Sequence, residues 1–217
     1  ATASAALGYD LWALCQDDPD GRLSETEVTQ PALLTASIAL WRVWLEAGGG
    51  APILLAGHSL GEYSALAAAG AIELADAVSL VATRGRYMQE AVPAGSGGMA
   101  AVLGLDVDTV FAACGGVGDG VVEAVNFNAP GQVVIAGDKT AVDAAIEACK
   151  AAGAKRALPL PVSVPSHCAL MRPAAERLAE TLAGIDIAAP NIDIVNNVDV
   201  EKTRDPAAIR DALVRQL

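Results

Sequence analysis

Ser59 stands in the run Gly57-His58-Ser59-Leu60-Gly61, a G-x-S-x-G pattern. A serine framed this way can act as a nucleophile when it sits on a tight strand-to-helix turn. Residues without side-chain bulk let the chain fold sharply there and leave the hydroxyl clear of the sheet. The pattern also arises by chance in Gly- and Ser-rich loops, so the flanking residues must supply the turn. Pro52-Ile53-Leu54-Leu55-Ala56 is a short apolar run suited to a buried parallel strand, and Leu60 to Ala69 is alanine-rich and helix-favouring. Gly70 is placed to cap that helix.

A serine hydroxyl is a weak nucleophile near neutral pH and needs a base within hydrogen-bond reach. The chain has two histidines. His58 would have to fold back over the turn, whereas His167 is distant in sequence and can approach across a sheet, so His167 is the better base. The order Ser then His matches doubly wound serine hydrolases, although no acid that would orient the imidazole stands out. The Leu60 backbone N–H, at the start of its helix, is a candidate oxyanion donor, strengthened by the helix dipole. A second donor usually comes from a loop after an earlier strand, and none is evident. Cys168 beside His167 is a weaker candidate nucleophile, because adjacent residues usually point different ways. The four cysteines form no C-x-x-C pair, which argues for reduced thiols and against a structural zinc site.

The elements that would hold these groups follow from periodicity. Residues 24 to 46 read as a helix with Thr29 near its N-cap, Pro31 in its first turn, and Leu34, Ile38, Trp41 and Leu45 on one face. Leu74 to Ala91 reads as another, striped by Leu74, Val78, Val81, Gly85 and Met88. Arg84 falls roughly 80° from the middle of that stripe at about 100° per residue. Position alone makes it a rim residue, its stem along the core and its head in water. After the linker-like run from Pro93 to Gly98, strands are expected at 99–103, 121–127, 132–136 and 155–162, and helices at 106–114 and 140–152. That strand–helix–strand–strand–helix–strand order is a ferredoxin-like split βαβ. The turn Asn128-Ala129-Pro130-Gly131 would join its middle strands. From Pro165 the main domain resumes: Met171, Ala175, Leu178 and Leu182 stripe a helix closed by Gly184, Ile192 to Val195 reads as a strand, and Asp205-Pro206 opens a last helix. The expected organisation is a discontinuous core, residues 1–95 and 163–217, around a small subdomain, residues 96–162.

Apolar residues are 53% of the 217 and aromatic ones only 4%, so the core must be built from Ala, Val, Leu and Ile, as in a layered α/β protein. The net charge of −12 argues against a nucleic-acid partner. An anionic small molecule could still be met by a local cluster such as Arg84 with Arg86, Lys155 with Arg156, or Arg172 with Arg177. No apolar stretch is long enough to span a bilayer and no basic leader precedes one, so a cytoplasmic, soluble chain without membrane partners is expected.

The runs "GHSLGEYSALAAAGAI", "ATRGRYMQEAVPAGSGGMAAVLGL", "NFNAPGQVVIAG" and "VPSHCALMRPAAERLAE" resemble successive motifs of the malonyl-CoA:acyl carrier protein transacylase family of bacterial fatty acid synthesis. The likeness extends across essentially the whole chain. It implies an α/β-hydrolase-like parallel-sheet core with an inserted ferredoxin-like subdomain. By resemblance the nucleophile is Ser59, the base His167 and one oxyanion amide that of Leu60, while Arg84 pairs with the free malonyl carboxylate. That role displaces the positional reading of Arg84, since a guanidinium can grip a carboxylate with two parallel hydrogen bonds. Val164-Pro165-Ser166-His167 resembles the malonyl-selective type. Asn126 and Asn128 stand in a family motif that borders the cleft and, with His58, are supporting candidates, the asparagines also being good turn formers. The implied substrates are malonyl-CoA and the phosphopantetheine thiol of acyl carrier protein, with no metal or redox cofactor, and a monomer is expected. A serine thioesterase or esterase on the same core, and a non-catalytic carrier-protein-docking fragment of a synthase, are the alternatives.

The resemblance also places an early Gly-Gln-Gly-Ser-Gln loop, the source of the second oxyanion donor, before Ala1, and a late glutamine whose carbonyl orients the histidine after Leu217. Transacylation by this 217-residue chain alone is therefore expected to be weak. Removing one oxyanion donor typically lowers turnover by about 10²–10³. Turnover of the purified chain equal to that of a full-length relative would contradict this.

Overall fold

The structure, a computed structural model, describes residues 1–162 and 164–217. The sequence-based boundary at residue 163 lies outside the described residues. The chain divides into two compact units: Ala1–Tyr87 with Ala175–Gln216, and Met88–Ala174.

The first unit opens with helices α1 (Thr2–Leu7), α2 (Leu11–Asp17) and α3 (Thr26–Glu46). Asp10 caps α2 by accepting the N–H groups of Trp12 and Ala13. Helix α3 begins a turn earlier than the proline suggests: Pro31 lies inside it, and Glu25, not Thr29, is its N-cap. Thr29 instead turns its hydroxyl back onto the Glu25 carbonyl at 2.9 Å. Strand β1 (Leu54–Ala56) leads into α4 (Leu60–Ala68), then α5 (Leu74–Ala91). Gly70 follows the α4 C-cap at φ +70°, with Gly70 N–H on the Ala67 carbonyl and Ala71 N–H on that of Leu66. This is the Schellman arrangement, which needs a left-handed residue and therefore favours glycine.

Next come, in chain order, β2 (Gly97–Leu103), α6 (Val107–Gly115), β3 (Val122–Ala129), β4 (Gln132–Asp138), α7 (Lys139–Ala151) and β5 (Arg156–Pro159). These six elements lie in the second unit. Their sheet runs β3-β4-β2-β5, antiparallel throughout, the order of a ferredoxin-like split βαβ. Ala100, Val102, Val133 and Ile135 from the sheet pack with Val142, Ala145 and Cys149 from α7 in one buried cluster. The connection between β3 and β4 is tighter than expected. Asn128 and Ala129 still belong to β3, leaving Pro130 and Gly131 as the turn, with Gly131 at φ +72°. Strand β5 is shorter than the run 155–162 because Pro159 and Pro161 have no N–H to give a ladder.

The chain returns to the first unit through α8 (Arg172–Ala183), β6 (Asp193–Val195), β7 (Lys202–Thr203) and α9 (Pro206–Arg215). Asp205 caps α9 by accepting from Ala207 and Ala208, with Pro206 at the first helical position as the sequence predicts. Strands β1 and β6 are parallel, with Leu55 opposite Ile194, and β7 adds antiparallel to β6. Thus β1 is parallel but not buried. It lies at the edge of a three-stranded sheet, and Ile53 beside it is 94% exposed. The stripe on α3 is likewise covered only in part: Leu34 and Ile38 are buried, whereas Leu45 is exposed.

Where α3 and α5 meet, Gly85 makes the approach possible. A Cβ there would lie 2.5 Å from Glu27 Cα and 2.6 Å from the Thr26 carbonyl oxygen. Both are backbone atoms that cannot swing aside. Gly85→Ala should therefore force the helices apart and destabilise the fold by about 1–3 kcal/mol. Urea unfolding checks this, and an unchanged midpoint would show that the approach is slack.

Candidate active site

Ser59 occupies the corner between β1 and α4 with φ +52° and ψ −114°, a conformation that side-chain-bearing residues rarely adopt. Gly57 is needed for the turn: a Cβ on it would sit 2.0 Å from the backbone of Gly61. Gly61 is different, since a Cβ there would meet nothing within 4 Å, so the bulk argument applies to the first glycine only. Both backbone groups of Ser59 are held by side chains from distant sequence. Its N–H donates to Asn197 Oδ1 at 2.7 Å, and its carbonyl accepts from Gln216 Nε2 at 3.2 Å. The Leu60 N–H, first in α4, meets no backbone acceptor among the described residues, as an oxyanion donor requires. His58 is exposed, and its carbonyl accepts the Gly61 N–H at 2.8 Å. It borders a cavity of about 310 Å³ with Val195, Asn196 and Val200.

Arg84 is not a rim residue. It is 1% exposed and belongs to the same cluster as the serine. Its Nη1 donates to Gln30 Oε1 at 2.7 Å, and its Nη2 donates to Ser59 Oγ at 3.1 Å and Gln216 Oε1 at 3.3 Å. The guanidinium carbon also lies 5.4 Å from the centre of the Tyr63 ring. The helical wheel misplaces Arg84 because it counts only one stripe of α5. The opposite wall of the arginine's pocket comes from α3, α4 and the end of α9, and covers what the wheel leaves open. Among the described residues no carboxylate bonds this guanidinium, and its Nε–H has no partner. Burial lowers the arginine's pKa, which the Tyr63 and Glu62 side chains partly oppose; burial also pushes the Tyr63 hydroxyl up to about 12.

Behind this cluster Glu62, 2% exposed, accepts from Gln216 Nε2 at 2.7 Å and from the Asn197 backbone N–H at 2.9 Å, both on Oε2. Gln30, Glu62, Asn197 and Gln216 escape sequence reasoning. Isolated amides carry no periodicity, and the only signal for Glu62 is its place three residues after the serine, where a capping box would put it. The resemblance puts a late glutamine beyond Leu217, whereas the structure places Gln216 itself against Ser59.

The remaining candidates lie in the second unit. His167 is half-buried at φ +66°. Ser59 and His167 are thus two of the four described residues other than glycine with positive φ, a strain that concentrates at functional positions. Asn126 is half-buried at a bulge of β3, and its Oδ1 is buried without a partner among the described residues. Asn128 is exposed near the strand's end, outside the turn. Cys168 is buried, its Sγ 3.2 Å from the Pro165 carbonyl oxygen, and burial pushes its thiol to about 11. A thiol held there is about one part in ten thousand thiolate at neutral pH, which removes it as a nucleophile. Among the described residues no group of His, Cys, Asp and Glu is arranged to hold a metal ion, and no helix is long and apolar enough to cross a membrane.

The Acyl transferase domain family matches residues 3–213. The chain belongs to that family. It is 66% identical over 218 residues to the malonyl CoA-acyl carrier protein transacylase of Salmonella typhimurium, covering 100% of this chain and 71% of the relative. Among solved structures, the acyl carrier protein S-malonyltransferase from Vibrio cholerae superimposes with a TM-score of 0.96 at 59% identity, covering 100% of this chain and 71% of that one. A malonyl-transacylase solved in complex with its type II PKS acyl-carrier protein gives a TM-score of 0.98 at 60% identity, covering 100% and 70%. The fold is therefore the α/β fold of these acyltransferases, and the chain spans about 70% of their length.

The cysteine environments make a direct prediction. Alkylation of the folded protein at about pH 7.5 should modify the exposed Cys15 and leave Cys114, Cys149 and Cys168 intact until denaturant is added. Peptide mass mapping reads this, and rapid labelling of Cys168 would reopen it as a reactive group.

Proposed function

We propose that the chain transfers a malonyl group from malonyl-CoA to the phosphopantetheine thiol of acyl carrier protein, by way of a malonyl ester on Ser59. The observation that carries this reading is a buried guanidinium, without a carboxylate partner among the described residues, 3.1 Å from the serine hydroxyl. An acyl group joined to that oxygen and ending in its own carboxylate supplies the missing anion. A plain ester or thioester substrate would leave the buried cation uncompensated.

The chemistry proceeds as one step and then its reversal with a different thiol. Ser59 Oγ attacks the thioester carbon while its proton passes to His167, the proposed base. The developing oxyanion is met by the Leu60 N–H, whose place at the start of α4 adds the field of the helix. The C–S bond then breaks and coenzyme A leaves with the proton from His167. The carrier thiol next gives its proton to the same imidazole and attacks the ester carbon, the C–O bond to Ser59 breaks, and His167 returns the proton to Ser59 Oγ. Arg84 holds the malonyl carboxylate through both halves, and Asn126, Asn128 and His58 are proposed as supporting residues. The residues in these roles call on no metal or redox cofactor. Since the chain is strongly acidic, docking of an acidic carrier protein depends on a local basic patch and not on net attraction.

Brief incubation with malonyl-CoA should add one malonyl group to the protein, located at Ser59 by peptide mass spectrometry and absent from Ser59→Ala. Arg84→Ala should slow malonyl transfer by about 10²–10³ while sparing acetyl transfer, because truncating one partner of a buried charge pair costs about 2–5 kcal/mol. Equal losses for both acyl groups would point to an esterase-like site, and no adduct on the wild type would point to a docking domain.

A further inference from the structure

Glu62 lies directly behind the nucleophile, and nothing in the proposed chemistry uses it. It is the third residue of α4 after its N-cap, Ser59. A glutamate at that position ordinarily turns back to the N-cap backbone N–H and closes a capping box. Here Asn197 Oδ1 takes the Ser59 N–H instead. The glutamate reaches away from its own helix, to the Asn197 N–H and the Gln216 amide.

The consequence is a fixed set of orientations. An ionised carboxylate only accepts, so Gln216 must present Nε2 to it. The two hydrogens of Nε2 then serve Glu62 and the Ser59 carbonyl, and Oε1 is left facing Arg84 Nη2 at 3.3 Å. A flipped amide would set oxygen against both the carboxylate and a carbonyl, and N–H groups against the guanidinium. The bond to the Asn197 N–H similarly fixes the backbone whose side chain holds Ser59. One oxygen, Glu62 Oε2, thus anchors both side chains that grip the strained serine, and one of them in turn orients the arginine. Other polar contacts tie down the ends of this arrangement. Arg215, next to Gln216, makes a two-pronged contact with Asp199, two residues after Asn197, at 2.7 Å on each oxygen.

We infer that Glu62 is a positioning residue that sets acyl selectivity, holding Gln216 and Asn197 so that Arg84 faces an acyl group on Ser59 with its donors in register. This rests on the functional reading above. A glutamate with a merely structural role would lower transfer of every acyl group alike. A positioning role acts through the arginine and weighs on malonyl more than on acetyl.

The test compares kcat/KM for malonyl-CoA and acetyl-CoA, with carrier protein as acceptor, in full-chain wild type, Glu62→Gln and Glu62→Ala. Glutamine can still accept both bonds on its Oε1, so Glu62→Gln should keep the malonyl-to-acetyl ratio within about threefold of wild type. Glu62→Ala should lower that ratio about tenfold or more, chiefly through the malonyl term. Should Glu62→Ala fail to fold, Gln216→Met breaks the link to Arg84 while leaving the Glu62–Asn197 bond, and the same fall in ratio is expected. A wild-type ratio in Glu62→Ala or Gln216→Met overturns the inference, as does a Glu62→Gln ratio as low as that of Glu62→Ala. A wild type that takes up no malonyl group overturns the functional reading itself, whereas one that is loaded normally beside variants of unchanged selectivity overturns only the role of Glu62.

Discussion

A guanidinium withdrawn from water and left without a bonded carboxylate among the described residues is the constraint around which the first unit is arranged. Burying an ion costs several kcal/mol even after relaxation, and neutral acceptors repay only part of it. Arg84 has three of its five N–H donors engaged, by two glutamines and the serine hydroxyl, and has the face of Tyr63 close by. Its nearest acidic neighbour, Glu62, uses its oxygen on other partners. On the proposed function, such a site favours a carboxylate that arrives with the substrate. The selectivity and the stored cost have the same origin.

The second constraint is backbone strain at Ser59. A serine at φ +52° and ψ −114° would relax toward an ordinary conformation if its peptide groups were free. Gly57 permits the turn by staying clear of Gly61, but permission does not hold it closed. The closing is done by Asn197 and Gln216, from the end of β6 and the end of α9. Residues more than a hundred positions away in the chain therefore stabilise the geometry of Ser59, and the same two residues converge on Glu62. Strain, arginine and carboxylate form one network and not three separate features.

This explains which parts of the molecule are legible in the sequence. The ferredoxin-like order of β2 to β5 is readable because each strand and helix has its own periodicity and the turns are marked by Gly131 and by the Asp106 cap, whose side chain accepts the Thr109 N–H at 2.7 Å. The opening of α9 at Asp205-Pro206 is local chemistry and is equally readable. Local signals mislead where long-range packing decides. Pro31 suggests a helix start and lies inside α3, and Pro52 to Ala56 reads as a buried strand, whereas β1, Leu54–Ala56, lies at a sheet edge among the described residues. Arg84 reads as solvated from its own helix and is sealed by three others. The serine is visible because its turn requires glycine. The amides that hold it are not, since a glutamine at position 30 or 216 is an ordinary helix residue until its neighbours in space are known.

The same logic bears on how such a site can change its substrate. Replacing the arginine removes the charge and one donor from each of the Gln30 and Gln216 side-chain oxygens. A change of acyl preference therefore starts at the arginine. Glu62 stands between two requirements, because it anchors both Asn197, which holds the strained serine, and Gln216, which faces Arg84. The network thus has one side toward Gln30 and Arg84 and another toward Ser59 and Asn197, with Glu62 and Gln216 joining the two. The Gln216 amide donates to one side and accepts from the other, so a substitution there disturbs the contacts of both Ser59 and Arg84.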